Sequence, residues 1–127
     1  MTKRLWLYLV VVLGFCVGVA AQENPADVVG TWEGESICTV HPSACHDEHV
    51  IYDIKQTDNG RFSMSADKVV NGERQNMGDL ECSFEGKTLS CPFAKGLWAF
   101  EVRGKKMTGT LKLTDGTLFR KVNAAKK

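Results

Sequence analysis

The chain has 127 residues, 16 of them basic and 15 acidic, for a formal net charge of +1, so no strong field marks it for nucleic acid. That length excludes two ordinary domains and is enough for one modest core. Four of the five cysteines, Cys38, Cys45, Cys82 and Cys91, lie beyond the N-terminal apolar run, and an even number in so short a chain points to disulfides and an oxidising compartment.

At the N-terminus Lys3 and Arg4 precede an apolar run from Leu5 to Val19 that closes on Ala20-Ala21. A charged start, a short apolar stretch and a Val19-x-Ala21 cleavage site followed by Gln22 read as a secretory signal. A spanning helix usually needs about 20 apolar residues. The expected organisation is therefore a signal peptide over 1–21 and one domain over 22–127, secreted or periplasmic and off the membrane once the signal is removed. Cys16 is no lipidation site, because Phe15 stands where a bacterial lipoprotein signal needs a small residue.

Asn24-Pro25 reads as a cap followed by Pro at the first helical position, so a single helical turn leads into the domain. The first strand, near Gly30 to Cys38, puts Trp32, Gly34 and Ser36 on one face and Thr31, Glu33 and Glu35 on the other. A long connection follows, Cys38-Thr-Val-His41-Pro-Ser-Ala-Cys45-His46-Asp47-Glu48-His49, which holds every histidine of the chain. Asp58-Asn59-Gly60 then reads as a three-residue hairpin loop with Gly60 left-handed, pairing Gln56 with Phe62, Ile54 with Met64 and Tyr52 with Ala66. Asn71-Gly72 is a type I′ signal, and the inward phase must shift between Met77 and Leu80, which a bulge at Gly78 supplies.

Gly86-Lys87 fits a type II′ turn, and its register sets Cys82 opposite Cys91 as a non-hydrogen-bonded pair, about 4.5 Å apart at Cα and within disulfide reach. Cys38 then pairs with Cys45 and ties the long loop down. Taking Lys95-Gly96 as the next turn pairs Phe93 with Trp98 and Cys91 with Phe100. Gly104-Lys105 pairs Val102 with Met107, Phe100 with Gly109 and Trp98 with Leu111, and Asp115-Gly116 pairs Leu113 with Leu118 and Leu111 with Arg120. One charged residue, Arg120, thus points inward. From Lys95 onward nine basic residues face two acidic ones, while Gln22 to Ala94 carry five against thirteen. Pairing of the chain's two ends would neutralise the halves against each other, the functional alternative being a basic ligand surface near the C-terminus.

These registers give an all-β domain: eight strands in an antiparallel up-and-down meander, closed into a small barrel with two disulfides and at most one helical turn. Bulky inward aromatics leave room for a small or narrow pocket.

Gly30-Thr31-Trp32 in the first strand and Arg120 in the last resemble the calycin pattern of lipocalins and fatty-acid-binding proteins. The resemblance implies that Trp32 packs across the barrel floor against Arg120, with the guanidinium on the indole face, a cation–π contact worth about 0.5–2 kcal/mol. It also implies a binding function, and a loop after the first strand that partly covers the open end.

The functional expectation is an exported, non-catalytic binding module for a small hydrophobic molecule, with His41, His46, Asp47, Glu48, His49, Tyr52 and Trp98 at the mouth. The alternative is a periplasmic enzyme inhibitor or interaction module that presents the Cys38–Cys45 loop to an extracytoplasmic protein. A lesser one is weak transition-metal binding by His41, His46 and His49 with Asp47 or Glu48, donors that suit zinc, copper or nickel. That spacing matches no metal motif. The second strand should begin no earlier than His49 or Val50, with the histidines spread apart and no metal or cofactor held. Spacing implies no Ser-His-Asp set and no phosphate-binding glycine loop, so no enzyme is expected.

Overall fold

The computed structural model describes residues 24–127 together with Gly14 and Cys16, so the expected signal over 1–21 falls almost wholly outside the described residues. Asn24 caps one tight helical turn, Pro25–Val28, through a side-chain hydrogen bond from the Ala26 amide. Eight antiparallel strands follow: β1 Gly30–Cys38, β2 Glu48–Gln56, β3 Phe62–Val70, β4 Glu73–Glu85, β5 Thr88–Phe93, β6 Gly96–Arg103, β7 Lys106–Leu113 and β8 Leu118–Lys126. Each pairs with its neighbour in sequence, and β8 returns to β1, closing the barrel. Closure brings the basic C-terminus onto the acidic first strand, where Lys127 bridges to Glu33.

Turn chemistry sets most of the registers. Gly86 sits at φ +64° in the two-residue turn, which places Phe84 opposite Leu89 and Cys82 beside Cys91, with Cα atoms 4.3 Å apart. Both disulfides, Cys82–Cys91 and Cys38–Cys45, are formed. Asn71 and Gly72 both take positive φ, and the Asp58–Gly60 loop pairs Tyr52 with Ala66. The bulge falls where Ala66 faces Gly78 while Asp67 faces Asn76, leaving Met77 as the extra residue.

Two turns differ from the sequence expectation. The fifth hairpin turns on Ala94-Lys95, so Phe93 faces Gly96, Cys91 faces Trp98 and Leu89 faces Phe100. Gly96 serves a close approach instead of a turn: a Cβ there would lie 2.2 Å from the Lys112 carbonyl oxygen. A shift by two residues keeps every side chain on its face, so the inward set survives. The last hairpin keeps Leu111 opposite Arg120, but Lys112 rather than Leu113 faces Leu118, because Phe119 is an extra residue. The Leu113 amide bonds the Thr117 carbonyl and the Asp115 carboxylate caps the Thr117 amide, which makes this loop longer than a type I′ turn.

The barrel is filled at one end and hollow at the other. Trp32, Phe62, Leu89, Val102 and Met107 are fully buried beneath the Pro25–Val28 turn, and the Trp32 indole donates to the Val28 carbonyl at 2.9 Å. The opposite end carries the β1–β2 loop. One seam is loose: β4 pairs with β3 from Glu73 to Cys82 but with β5 only at Ser83–Glu85.

Candidate functional site

The hollow end holds a cavity of about 320 Å³. Alternation along each strand turns Val50 and Tyr52 of β2, Met64 and Ala66 of β3, and Trp98 and Phe100 of β6 into it. Phe100 is its aromatic floor: Tyr52 meets it edge-on at 5.7 Å, and Trp98 stacks on it, also at 5.7 Å with only 7° between planes. Where β4 and β5 part, the wall is made by the side chains of Met77, Leu80 and Phe93 in place of hydrogen-bonded backbone. The Cys82–Cys91 bridge lies next to the last hydrogen-bonded pairs of that seam and holds it there.

The polar groups lie at the mouth. Arg120 faces Cys38 and Leu111 across the strands and turns its guanidinium onto the Ser36 hydroxyl at 3.1 Å, the Ser36 carbonyl at 3.4 Å and the His46 carbonyl at 2.9 Å, with the Glu48 carboxylate 3.7 Å away. Burial pushes the Tyr52 phenol well above the ordinary tyrosine range, the Glu48 charge adds to that and Arg120 opposes it, so the phenol remains a neutral donor. Asp79 is a second carboxylate in the lining.

Of the residues named from sequence, Glu48, Tyr52 and Trp98 converge on this cavity, and Arg120 joins them. The Trp32–Arg120 pair expected from the calycin resemblance is not formed. The cation over the Trp32 ring is Lys126, its Nζ 5.8 Å from the centroid. Arg120 lies six residues away along β8, on the order of 20 Å at strand rise.

The other loop residues do structural work. The Asp47 carboxylate accepts from the Cys38 amide at 2.8 Å, and the exposed His41 ring meets the Cys38 carbonyl at 3.1 Å, while Thr39 bonds the Leu118 carbonyl. His46 offers only its carbonyl, to Arg120. β2 begins at Glu48, one residue earlier than expected, which turns His49 to the outer surface between Glu33 and Glu35, each at 2.7 Å. Those two bonds raise the His49 pKa, the one from Glu35 most. Among the described residues no group of three or more His, Cys, Asp or Glu is arranged to hold a metal ion.

Sequence reasoning passed over Met64, Phe93, Phe100 and Arg120 as cavity residues. The hairpin registers already put all four inside; the missing signal was depth along the strand, which separates the filled end from the hollow one.

No family model matches the chain, and no curated protein matches its sequence. Among solved structures it is similar to a zebrafish ileal bile acid-binding protein complexed with cholic acid, at 19% identity and a TM-score of 0.46, over 80% of this chain and 99% of that one.

Proposed function

We propose that this protein is an exported, non-catalytic binding module that takes one small, predominantly hydrophobic molecule into the hollow end of its barrel. The observation that carries this is the cavity itself. Its volume lies at the lower edge of small-molecule sites, its walls are aromatic and aliphatic, and a few polar groups gather at one end. Export rests on the leader read in residues 1–21 and fits the two disulfides.

A second reading has one observation in its favour. The Cys38–Cys45 loop is fastened at its base and exposed at His41 to Ala44, a fixed tip that an extracytoplasmic protein could grip. The cavity favours the first reading, because a module working only through its loop has no need of a hollow core.

Native mass spectrometry of the protein isolated from its own cells separates them. The binding reading expects a mass excess of one small molecule, lost on organic extraction and regained on adding the extract back. An apo mass with a co-purifying protein that is released by Ser43→Arg would establish the loop reading instead.

A further inference from the structure

The polar end of the cavity narrows the ligand class, on the footing that the cavity holds the ligand as proposed above. Tyr52 is 3% exposed, and among the described residues its hydroxyl has no hydrogen-bond partner. No side-chain nitrogen or oxygen among the described residues is both sealed from open space and unpartnered, so that hydroxyl opens on the cavity Tyr52 lines. A nearly buried donor without an acceptor is a place for a ligand acceptor.

Arg120 is in the opposite condition. Its guanidinium is engaged by two backbone carbonyls, the Ser36 hydroxyl and Glu48. The lining thus sets two carboxylates, Glu48 and Asp79, against one guanidinium. A carboxylate ligand would have to displace Arg120's partners and would then sit beside Glu48, with like charges opposed in a partly dry site.

Shape supplies the rest. Tyr52 and Trp98 both flank Phe100 at 5.7 Å, and the Trp98–Phe100 stack makes a flat shelf. An apolar cavity of about 150 Å³ takes one benzene, so about 320 Å³ suits two fused rings.

We propose that the cavity selects a neutral, flat, bicyclic aromatic molecule carrying a carbonyl-type acceptor, with its ring on Trp98 and its acceptor on the Tyr52 hydroxyl, and that Glu48 excludes anions. Glu48 is then the specificity-determining residue and Tyr52 the one that orients the ligand.

Two probes that differ in one group test this: the neutral ketone propionyl-dimethylaminonaphthalene and the corresponding dimethylamino-naphthoate, titrated by fluorescence into the purified protein. The ketone should bind at least about tenfold tighter than the naphthoate, the size of effect that one desolvated charge contact produces. Tyr52→Phe should weaken the ketone about fivefold, as for one lost hydrogen bond. It should also shift the bound emission to the blue, since this ketone's colour reports a hydrogen bond to its carbonyl and a merely structural loss would not move it. Glu48→Gln should raise naphthoate affinity and so narrow the gap between the two probes, and a gap that stays as wide as in the parent would overturn the role given to Glu48. Equal or tighter binding of the naphthoate to the parent protein, or a Tyr52→Phe variant with unaltered affinity and emission, overturns the inference while leaving a binding barrel intact. Failure of both probes to bind a protein with its normal melting transition overturns this inference, whereas the binding reading stands or falls separately on the mass excess seen by native mass spectrometry.

Discussion

Lys126 covers Trp32 and Arg120 does not: the ammonium lies 5.8 Å from the indole centroid and donates to the Asp27 carbonyl at 2.7 Å, so it clamps the N-terminal turn over the ring. The filled end is thereby closed by the Pro25–Val28 turn and the end of β8 together. Arg120 is left free to organise the other end.

Trp32→Ala should cost about 3–5 kcal/mol, as for a large aromatic lost from a core. Lys126→Ala should cost about 1 kcal/mol or less, because its contact is at the surface. Urea unfolding of both variants checks this. Equal losses for the two would mean that the lysine, and not the indole's own packing, holds the end shut.

Arg120→Met should reduce stability by about 1–3 kcal/mol, since it strips partners from the Ser36 and His46 carbonyls and leaves Glu48 uncompensated beside Tyr52. Adding Glu48→Gln should restore part of that loss. A double variant no more stable than Arg120→Met alone would show that the Glu48 contact, 3.7 Å long, has no energetic weight.

How much of this was legible in the sequence follows from what set each element. Registers governed by a two- or three-residue turn, such as Cys82 opposite Cys91 and Tyr52 opposite Ala66, could be counted off because the turn fixes them. Gly96 misled because one residue type answers two needs, a turn and a close backbone approach, and only the neighbouring β7 reveals which. Arg120 could be placed inside from Leu111 but not along the barrel axis, since inward alternation says nothing about which end a residue occupies. The β4–β5 seam had no sequence signal, as both segments read as ordinary strands.

Gly96→Ala should destabilise the barrel by about 1–3 kcal/mol, because the new Cβ must push β7 away at the Lys112 carbonyl. Ala94→Gly, in the turn itself, should change stability by under about 1 kcal/mol. Thermal melts of the two variants check this, and the reverse order would put the turn back at Lys95-Gly96.

The Glu33–His49–Glu35 cluster on the outer surface makes stability depend on pH. The His49 pKa is raised, first by the Glu35 bond and then by the Glu33 bond, so its contribution is complete below about 6.5, its ordinary value, and fades as pH rises through the folded value. The Glu33 pKa is lowered, chiefly by Lys127, so its contribution is present above about 4.5 and fades as pH falls through its folded value. The melting temperature should therefore peak between about 4.5 and 6.5. His49→Gln should flatten the alkaline side of that peak, and an unchanged profile in this variant would place the titration elsewhere.

The central claim is that the hollow end takes up a ligand, and it is tested most directly by filling that end. Ala66 lines the cavity and faces Gly78, so a large side chain at 66 has the void to enter without displacing a neighbour's side chain. Uptake of the neutral naphthalene ketone should be one molecule per protein in the parent and absent in Ala66→Trp, with the melting transition of the variant close to that of the parent. Undiminished uptake by a folded Ala66→Trp protein would contradict the account, because the molecule would then be held somewhere other than the barrel cavity.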